Sequence, residues 1–160
     1  MKRREFIQKT AATTALAGLG LSLSSFKSLD TKHLTILHTN DVHSYIDPFP
    51  ADHPRNPNMG GVSRRAAIIE NIRQENPNLL LLDAGDIFQG TPYFNIFKGE
   101  PELKSMRMMG YDAVIMGNHD FDAGIENFAE KMTTHGKMPV LMCNYGFEGT
   151  AMESINQPYK

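Results

Sequence analysis

Four short apolar runs divide the chain, and each is separated from the next by enough sequence for a helix. They occupy residues 33–38, 79–83, 113–116 and 139–143. Three of the four runs are continuous rather than alternating, which is typical of strands that are covered on both faces. We therefore predict four strands at these positions.

Between the runs, apolar side chains recur at the spacing of a helix. In the first interval, four apolar residues at i, i+4, i+7 and i+10 share one face of a helix. They are Val62, Ala66, Ile69 and Ile72. Helices are predicted over residues 62–75, 100–109 and 124–135, each followed by a residue type that ends helices, whereas residues 144–160 contain no convincing element.

The alternation of strands and helices indicates an α/β fold with a mainly parallel sheet and right-handed crossovers. One connection is unusually long, because residues 44–61 form a loop rich in proline, asparagine and glycine. Loops of this length in a compact domain are usually functional or mobile. We expect one of these two roles for this loop.

The first 29 residues have the composition of an export signal. Residues 1–9 make a basic start, and residues 10–26 are apolar, small and uncharged. Arg3 and Arg4 resemble a twin-arginine signal, with ordinary secretion as an equal alternative. We expect residues 1–29 to direct export to the periplasm or cell surface. No stable membrane span is expected unless this segment is retained as an anchor.

Composition narrows the chemistry of the remaining residues 30–160, which suit a single domain. The formal net charge is -2, so no basic excess points to a nucleic acid polymer as a partner. The single cysteine, Cys143, permits no internal disulfide and no cysteine-rich zinc motif. Any metal must be held by His, Asp, Asn or Glu, a donor set that favours Mn, Mg, Fe or Zn.

Polar side chains that can bind metal or act in catalysis follow each predicted strand directly. Because ligands bind at the carboxyl ends of the strands in open parallel sheets, we expect these side chains to meet at one edge. They are Asp41 and His43, then Asp86, then Asn118, His119 and Asp120, and finally Cys143 and Asn144. Each group alone is weak evidence, although Gly117 followed by three functional side chains is a poor structural turn, and their shared position predicts a site for two metal ions.

The residue types suggest a different role for each side chain within such a site. Two cations about 3.5–4 Å apart repel each other, so a shared anion must lie between them. A carboxylate can bridge and an imidazole cannot, which makes Asp86 the bridging candidate. Asp41 and His43 alternate along what we predict to be an extended segment, so both would hold the first metal. Asn118 offers a neutral oxygen and suits the second metal.

The two residues after Asn118 are candidates for catalysis. His119 is expected to point away from the metals and towards the substrate, where it can donate to a phosphoryl group or to the leaving oxygen. Asp120 is expected to orient the His119 ring and raise its basicity.

These motifs together closely resemble the calcineurin-like metallophosphoesterases, and more narrowly their 5′-nucleotidase branch. The segments that carry the closer resemblance are residues 39–44, 60–64, 83–91, 117–122 and 143–144, within a similarity that covers residues 33–145. The resemblance implies the N-terminal part of a four-layer α/β/β/α sandwich. It also implies metal ligands at Asp41, His43, Asp86 and Asn118 and a catalytic pair at His119 and Asp120.

The implied function is two-metal hydrolysis of phosphate esters, with 5′-nucleotides or related small phosphates as substrates. A hydroxide held between two divalent ions (Mn, Zn, Mg or Fe) would attack phosphorus. The family completes its site with a later lone His and a Gly-His-x-His segment, which this sequence does not contain, so the catalytic domain is expected to be truncated. One alternative is an inactive fragment that binds at most one metal. Another is a relative that cuts cyclic nucleotides, nucleotide sugars or sulfur esters.

Overall fold

A parallel β-sheet organises the chain. A computed structural model describes residues 31–159, so the export signal predicted at residues 1–29 lies outside the described residues. The strands are β1 (Thr35–Thr39), β2 (Leu79–Asp83), β3 (Ala113–Val114), β4 (Val140–Leu141) and β5 (Asn156–Gln157). Their order across the sheet follows their order along the chain, and every neighbouring pair is parallel. This confirms the predicted α/β fold with a mainly parallel sheet.

The helices lie in the connections between the strands. They are α1 (Val62–Glu75), α2 (Pro92–Phe97), α3 (Glu100–Met109) and α4 (Ile125–Lys131). A 3₁₀ helix (Asn118–Phe121) precedes α4, and one turn of π-helix (Met132–Gly136) follows it. Helices α1 and α3 match the predicted bounds, whereas the third predicted helix is divided between α4 and the π turn. Among residues 31–159, no helix combines the length and apolar character that a membrane crossing requires.

The hydrophobic core lies on one face of the sheet. A sheet whose parallel strands follow chain order has its right-handed crossovers on a single face, so the helices all cover that face. Leu81, Phe88 and Phe128 are fully buried there. On the opposite face, Ile36 is 58% exposed and Ile115 is 37% exposed. On that same face Ala113 is buried and Leu82 and Leu141 are partly buried, so the burial predicted for the continuous runs on both faces is met only in part by the described residues.

One strand and one α-helix have no counterpart in the hydrophobic pattern. Strand β5 consists of Asn156 and Gln157, and the Asn156 side chain itself bonds the backbone N–H and C=O of Met142. Helix α2 is six residues long and begins at Pro92. A strand of polar residues and a helix of fewer than two turns leave no periodic signal, so the pattern could not reveal them.

The register of β1 against β2 sets the position of the site. Thr39 lies opposite Asp83, so both strands end at the same level. The pairing continues past the strand ends, since the Ala84 N–H donates to the Thr39 carbonyl at 2.8 Å. The Asp41 N–H then donates to the Gly85 carbonyl at 2.9 Å. The two loops that follow these strands are therefore held side by side.

Candidate metal centre

A left-handed turn follows β1 and carries the first two predicted ligands. Asp41, His43 and Ser44 have φ values of 51°, 44° and 58°, a conformation that non-glycine residues seldom adopt. The prediction that Asp41 and His43 alternate along an extended segment is therefore wrong. The turn is fixed by hydrogen bonds from the His43 N–H to the Asp86 carbonyl and from the Ser44 N–H to the Ile87 carbonyl.

This turn brings three of the predicted ligands together. The Nε2 atom of His43 lies 3.8 Å from Oδ1 of Asp41 and 4.0 Å from Oδ2 of Asp86. One donor atom from each of the three residues falls within 4.8 Å of the others. Donors about 2.1 Å from a shared cation are at most about 4.2 Å apart, so the group fits one divalent ion with little adjustment. Its mixed oxygen and nitrogen donors suit Mn, Zn, Fe or Mg.

The His43 ring is oriented for metal binding by its other nitrogen. Nδ1 lies 3.2 Å from the backbone carbonyl of Gln89, which can only accept a hydrogen bond, so Nδ1 carries the proton. The lone pair of Nε2 then faces Asp41 and Asp86. A histidine ligand whose second nitrogen donates to a carbonyl is the usual arrangement in metal sites. Sequence reasoning did not identify this contribution of Gln89, because it comes from a backbone atom.

The Asp86 carboxylate faces two parts of the site. Its Oδ2 lies towards His43, and its Oδ1 accepts the backbone N–H of His119 at 3.0 Å. Gly117 makes this approach possible, since a Cβ at that position would lie 2.1 Å from Oδ1 of Asp86. Asp86 thus contacts both His43 and the segment that contains Asn118 and His119, which is consistent with the bridging role predicted for it.

Asn118 begins the 3₁₀ helix and is exposed. Its chain neighbours, Gly117 and His119, both lie against Asp86. The structure therefore places the Asn118 backbone beside Asp86, and the residue is exposed to solvent, as Asp41 is within the cluster.

His119 lies beside the metal group, and its ring is held by Asp122. The His119 and His43 ring centroids are 5.3 Å apart in an edge-to-face arrangement. Nδ1 of His119 lies 2.9 Å from Oδ2 of Asp122. This hydrogen bond is the main cause of a raised His119 pKa, with burial acting in the opposite sense.

The prediction that Asp120 orients the His119 ring is not met in the structure. Asp120 is fully buried, and its carboxylate accepts backbone N–H groups from neighbouring loops. The donors are Asp86, Ile87, Phe88 and Gly117, at 2.9–3.0 Å. Burial raises the pKa of Asp120 to about 6 even though these hydrogen bonds lower it. Asp120 therefore fastens the Asp86 loop to the Gly117 loop.

A second polar network supports the strand ends beneath the site. The Thr39 hydroxyl donates to Oδ2 of Asp83 at 2.5 Å and lies 2.7 Å from the Tyr111 hydroxyl, which must then be the donor. The other Asp83 oxygen accepts the Gly85 N–H at 2.9 Å. Burial raises the pKa of Asp83, and the Thr39 hydrogen bond partly offsets this effect. Cys143 and Asn144, which follow β4, are exposed, and Cys143 is not among the clustered donors.

A parallel sheet with carboxylate and imidazole donors gathered at its carboxyl edge is the arrangement of an α/β protein with a candidate metal site. Comparison with known proteins makes this more specific, because a model of the calcineurin-like phosphoesterase family matches residues 34–155. The chain belongs to this family.

Similar proteins include several nucleotidases. The chain is 39% identical to a 5′-nucleotidase of Rattus norvegicus over 163 residues, which covers 95% of this chain and 28% of that protein. Among solved structures, a 5′-nucleotidase precursor from Thermus thermophilus has a TM-score of 0.71 and 33% identity, over 79% of this chain and 25% of the other. The NAD nucleotidase of Haemophilus influenzae has a TM-score of 0.70 and 32% identity, over 79% and 26%. The chain spans about a quarter of the length of these relatives.

Proposed function

We propose that this chain contributes to the hydrolysis of phosphate esters by a site for two divalent metal ions. The observation that carries the proposal is the clustering of Asp41, His43 and Asp86 within 4.8 Å, with the His119 ring next to His43. Metal ions held there would lower the pKa of a water molecule and offset the charge of the phosphoryl oxygens. The chain's own residues would hold the first ion through these three side chains and part of the second through Asp86 and Asn118.

His119 has the geometry of a proton donor to the leaving group. Asp122 accepts the hydrogen bond from Nδ1, so Nε2 is the nitrogen left to face a substrate. The raised pKa of His119 keeps a larger fraction of the ring protonated near neutral pH. We propose that Nε2 donates its proton to the leaving oxygen, and that Asp122 stabilises the imidazolium beforehand. Asp120 would act from the core by keeping Asp86 and Gly117 together.

We propose 5′-nucleotides as the substrate class, supported by the similarity to 5′-nucleotidases of both sequence and structure. A second candidate is a dinucleotide, because a structural neighbour at 32% identity is an NAD nucleotidase. The two candidates differ in the bond that is cut, a phosphate monoester in AMP and a pyrophosphate in NAD. Release of phosphate from AMP, with NAD and a cyclic nucleotide as comparison substrates, would separate them.

We also propose that the protein acts outside the cytoplasm, in the periplasm or at the cell surface. The support is the basic start and the uncharged apolar run within residues 1–29, followed by residues 30–160 as the N-terminal part of a catalytic domain. Export of a reporter enzyme fused after residue 29 would test the signal. Replacing Arg3 and Arg4 by lysine would then distinguish the twin-arginine route from ordinary secretion, because only the former depends on the arginine pair.

The metal proposal can be tested on the full chain by elemental analysis after loading with Mn²⁺ and removal of free ions. We expect bound Mn²⁺ in the wild type and its loss in Asp86→Ala, because Asp86 faces both halves of the site. Asp52→Asn, an exposed loop substitution, is the matched control and should retain the metal. An Asp86→Ala chain with full metal content would contradict the bridging role. A wild type that binds no Mn²⁺ would show that this chain alone is an inert fragment.

A further inference from the structure

A buried carboxyl group lies behind the metal site without a partner. Glu102, in the first turn of α3, is 2% exposed, and neither of its carboxylate oxygens has a hydrogen-bond partner among residues 31–159. Nearly all buried polar groups in proteins are hydrogen-bonded, and an unpaired buried charge is costly. A buried carboxyl group such as that of Glu102 is therefore expected to have a polar partner.

The group that faces Glu102 is the hydroxyl of Ser44, directly after the proposed ligand His43. Ser44 is 1% exposed, and its Oγ also has no hydrogen-bond partner within the part of the chain that the structure describes. Burial raises the pKa of Glu102, and the nearby Ser44 hydroxyl partly offsets this effect. The pKa effect indicates that the two side chains lie near each other, and their three polar atoms are all buried without a hydrogen-bond partner among the described residues.

The backbone of Ser44 is already fully engaged, so its side chain is free to serve as an anchor. The Ser44 N–H donates to the Ile87 carbonyl at 3.0 Å, and the Ser44 carbonyl accepts the Thr91 hydroxyl at 2.8 Å. On the other side, Gly90 lies so close that a Cβ there would be 2.7 Å from the His43 carbonyl. Any sideways shift of this left-handed turn would move the His43 ring. A contact that holds the Ser44 side chain therefore also fixes the position of His43.

We propose that Glu102 is a positioning residue for the metal centre. As a neutral carboxylic acid it shares a buried hydrogen bond with the Ser44 hydroxyl, directly or through one enclosed water, and so holds the turn that carries His43. Small shifts complete this bond, because a carboxylic acid can donate while the hydroxyl accepts. An enclosed water would satisfy the same three atoms, as buried waters commonly do. The inference rests on the proposed metal function of His43.

The test compares Glu102→Leu with Glu102→Gln in the full chain, using Mn²⁺ as the probe. Glu102→Leu removes the hydrogen bond and should weaken Mn²⁺ binding about 10–100-fold, the usual effect of losing a group that orients a metal ligand. Glu102→Gln keeps a neutral donor and acceptor and should remain within about threefold of the wild type. The matched control is Glu100→Leu on the same helix, where the carboxylate pairs with Lys104 near the surface, and its metal affinity should not change.

A second readout does not require metal. The backbone amides of His43 and Ser44 should exchange with solvent about tenfold faster or more in metal-free Glu102→Leu, while Glu102→Gln and Glu100→Leu keep the wild-type rates. If Glu102→Leu does not fold, Ser44→Ala removes the other partner and should produce both effects. In a double-mutant cycle, Ser44→Ala should then add little to Glu102→Leu.

The outcomes separate this inference from the metal proposal. Unchanged Mn²⁺ affinity together with unchanged amide exchange in Glu102→Leu would overturn the positioning role, even if stability falls. Equal damage from Glu102→Gln and Glu102→Leu would overturn the neutral hydrogen bond. If the wild-type chain binds no Mn²⁺, the proposed metal function fails for this chain, and the exchange rates still decide whether Glu102 holds the His43 turn.

Discussion

Nδ1 of His119 lies 2.9 Å from Oδ2 of Asp122, three residues further along the chain. In a 3₁₀ helix, side chains at i and i+3 lie above one another. The 3₁₀ helix at Asn118–Phe121 therefore directs His119 and Asp122 to the same, solvent-facing side, and it directs Asp120 to the core.

Replacing Asp122 with asparagine should lower the pKa of His119, because the hydrogen bond from Asp122 is the main cause of its raised value. The raised pKa also makes folding stability depend on pH. The Asp122–His119 pair stabilises the folded state fully below pH 6.5, the ordinary pKa of histidine, and this stabilisation is lost as the pH rises through the pKa of the folded state. NMR titration of the His119 ring protons would measure the shift, with Asp52→Asn as the control. An unchanged titration in Asp122→Asn would show that the pair does not form in solution.

Replacing Asp120 with alanine should destabilise the fold by about 3 kcal/mol or more. Each buried N–H that loses its acceptor costs about 1–3 kcal/mol, and Asp120 accepts from four of them. Urea unfolding of the metal-free chain would measure the change. A loss below about 1 kcal/mol would contradict the role of Asp120 as the fastener between the two loops.

The same carboxyl predicts a pH dependence of stability. Burial raises the pKa of Asp120 from 3.8 to about 6 on folding, so the folded state favours the protonated form. The stability from this group is fully present below pH 3.8 and is lost as the pH rises through about 6. Asp120→Asn, which has no titrating group there, should lack this step when unfolding free energies are compared between pH 4 and 7. An identical profile for both chains would contradict the raised pKa.

Gly117→Ala should damage the metal site through steric overlap alone. The φ of Gly117 is -89°, which any residue can adopt, but a Cβ would lie 2.1 Å from Oδ1 of Asp86. We expect a loss of about 1–3 kcal/mol in stability and weaker Mn²⁺ binding, because Asp86 must move. Gly149→Ala is the opposite case, since φ is +73° with open space around the glycine, and it should leave Mn²⁺ affinity unchanged. Wild-type affinity in Gly117→Ala would show that Asp86 has room to move.

The two faces of the sheet should respond differently to substitution. Leu81→Ala removes a fully buried side chain and should cost about 2–5 kcal/mol. Ile36→Thr, on the face where Ile36 is 58% exposed, should change stability by no more than about 0.5 kcal/mol. Thermal or urea unfolding of the two variants would compare them. A large loss in Ile36→Thr would show that this face is covered in solution, for instance by a second copy of the chain.

The sequence predicted those parts of the fold that depend on long, regular hydrophobic patterns. β2 and helices α1 and α3 were predicted with the observed bounds, because buried runs and helical spacing are visible without tertiary information. Strand β5 was missed because it contains no apolar residue. The Asn156 side chain bonds the Met142 backbone, a contact that leaves no hydrophobic pattern in the sequence.

The sequence predicted which residues come together at the site, but not the backbone conformation that brings them together. Asp41, His43 and Asp86 could be grouped because each follows a strand of one parallel sheet. The left-handed turn at His43 depends on hydrogen bonds to a loop about forty residues away, so local sequence does not reveal it. The pairing of Asp122 with His119 could have been predicted only if the 3₁₀ conformation had been known, because that conformation brings residues three apart together.

The order of the strands also determines when the site can form during synthesis. Because neighbours in the sheet are neighbours in the chain, each loop of the site pairs with the loop synthesised just before it. The three clustered ligands are all present once residue 86 has left the ribosome, about thirty residues before His119 appears. The metal-binding half of the site therefore emerges before the residues that we propose act on the substrate.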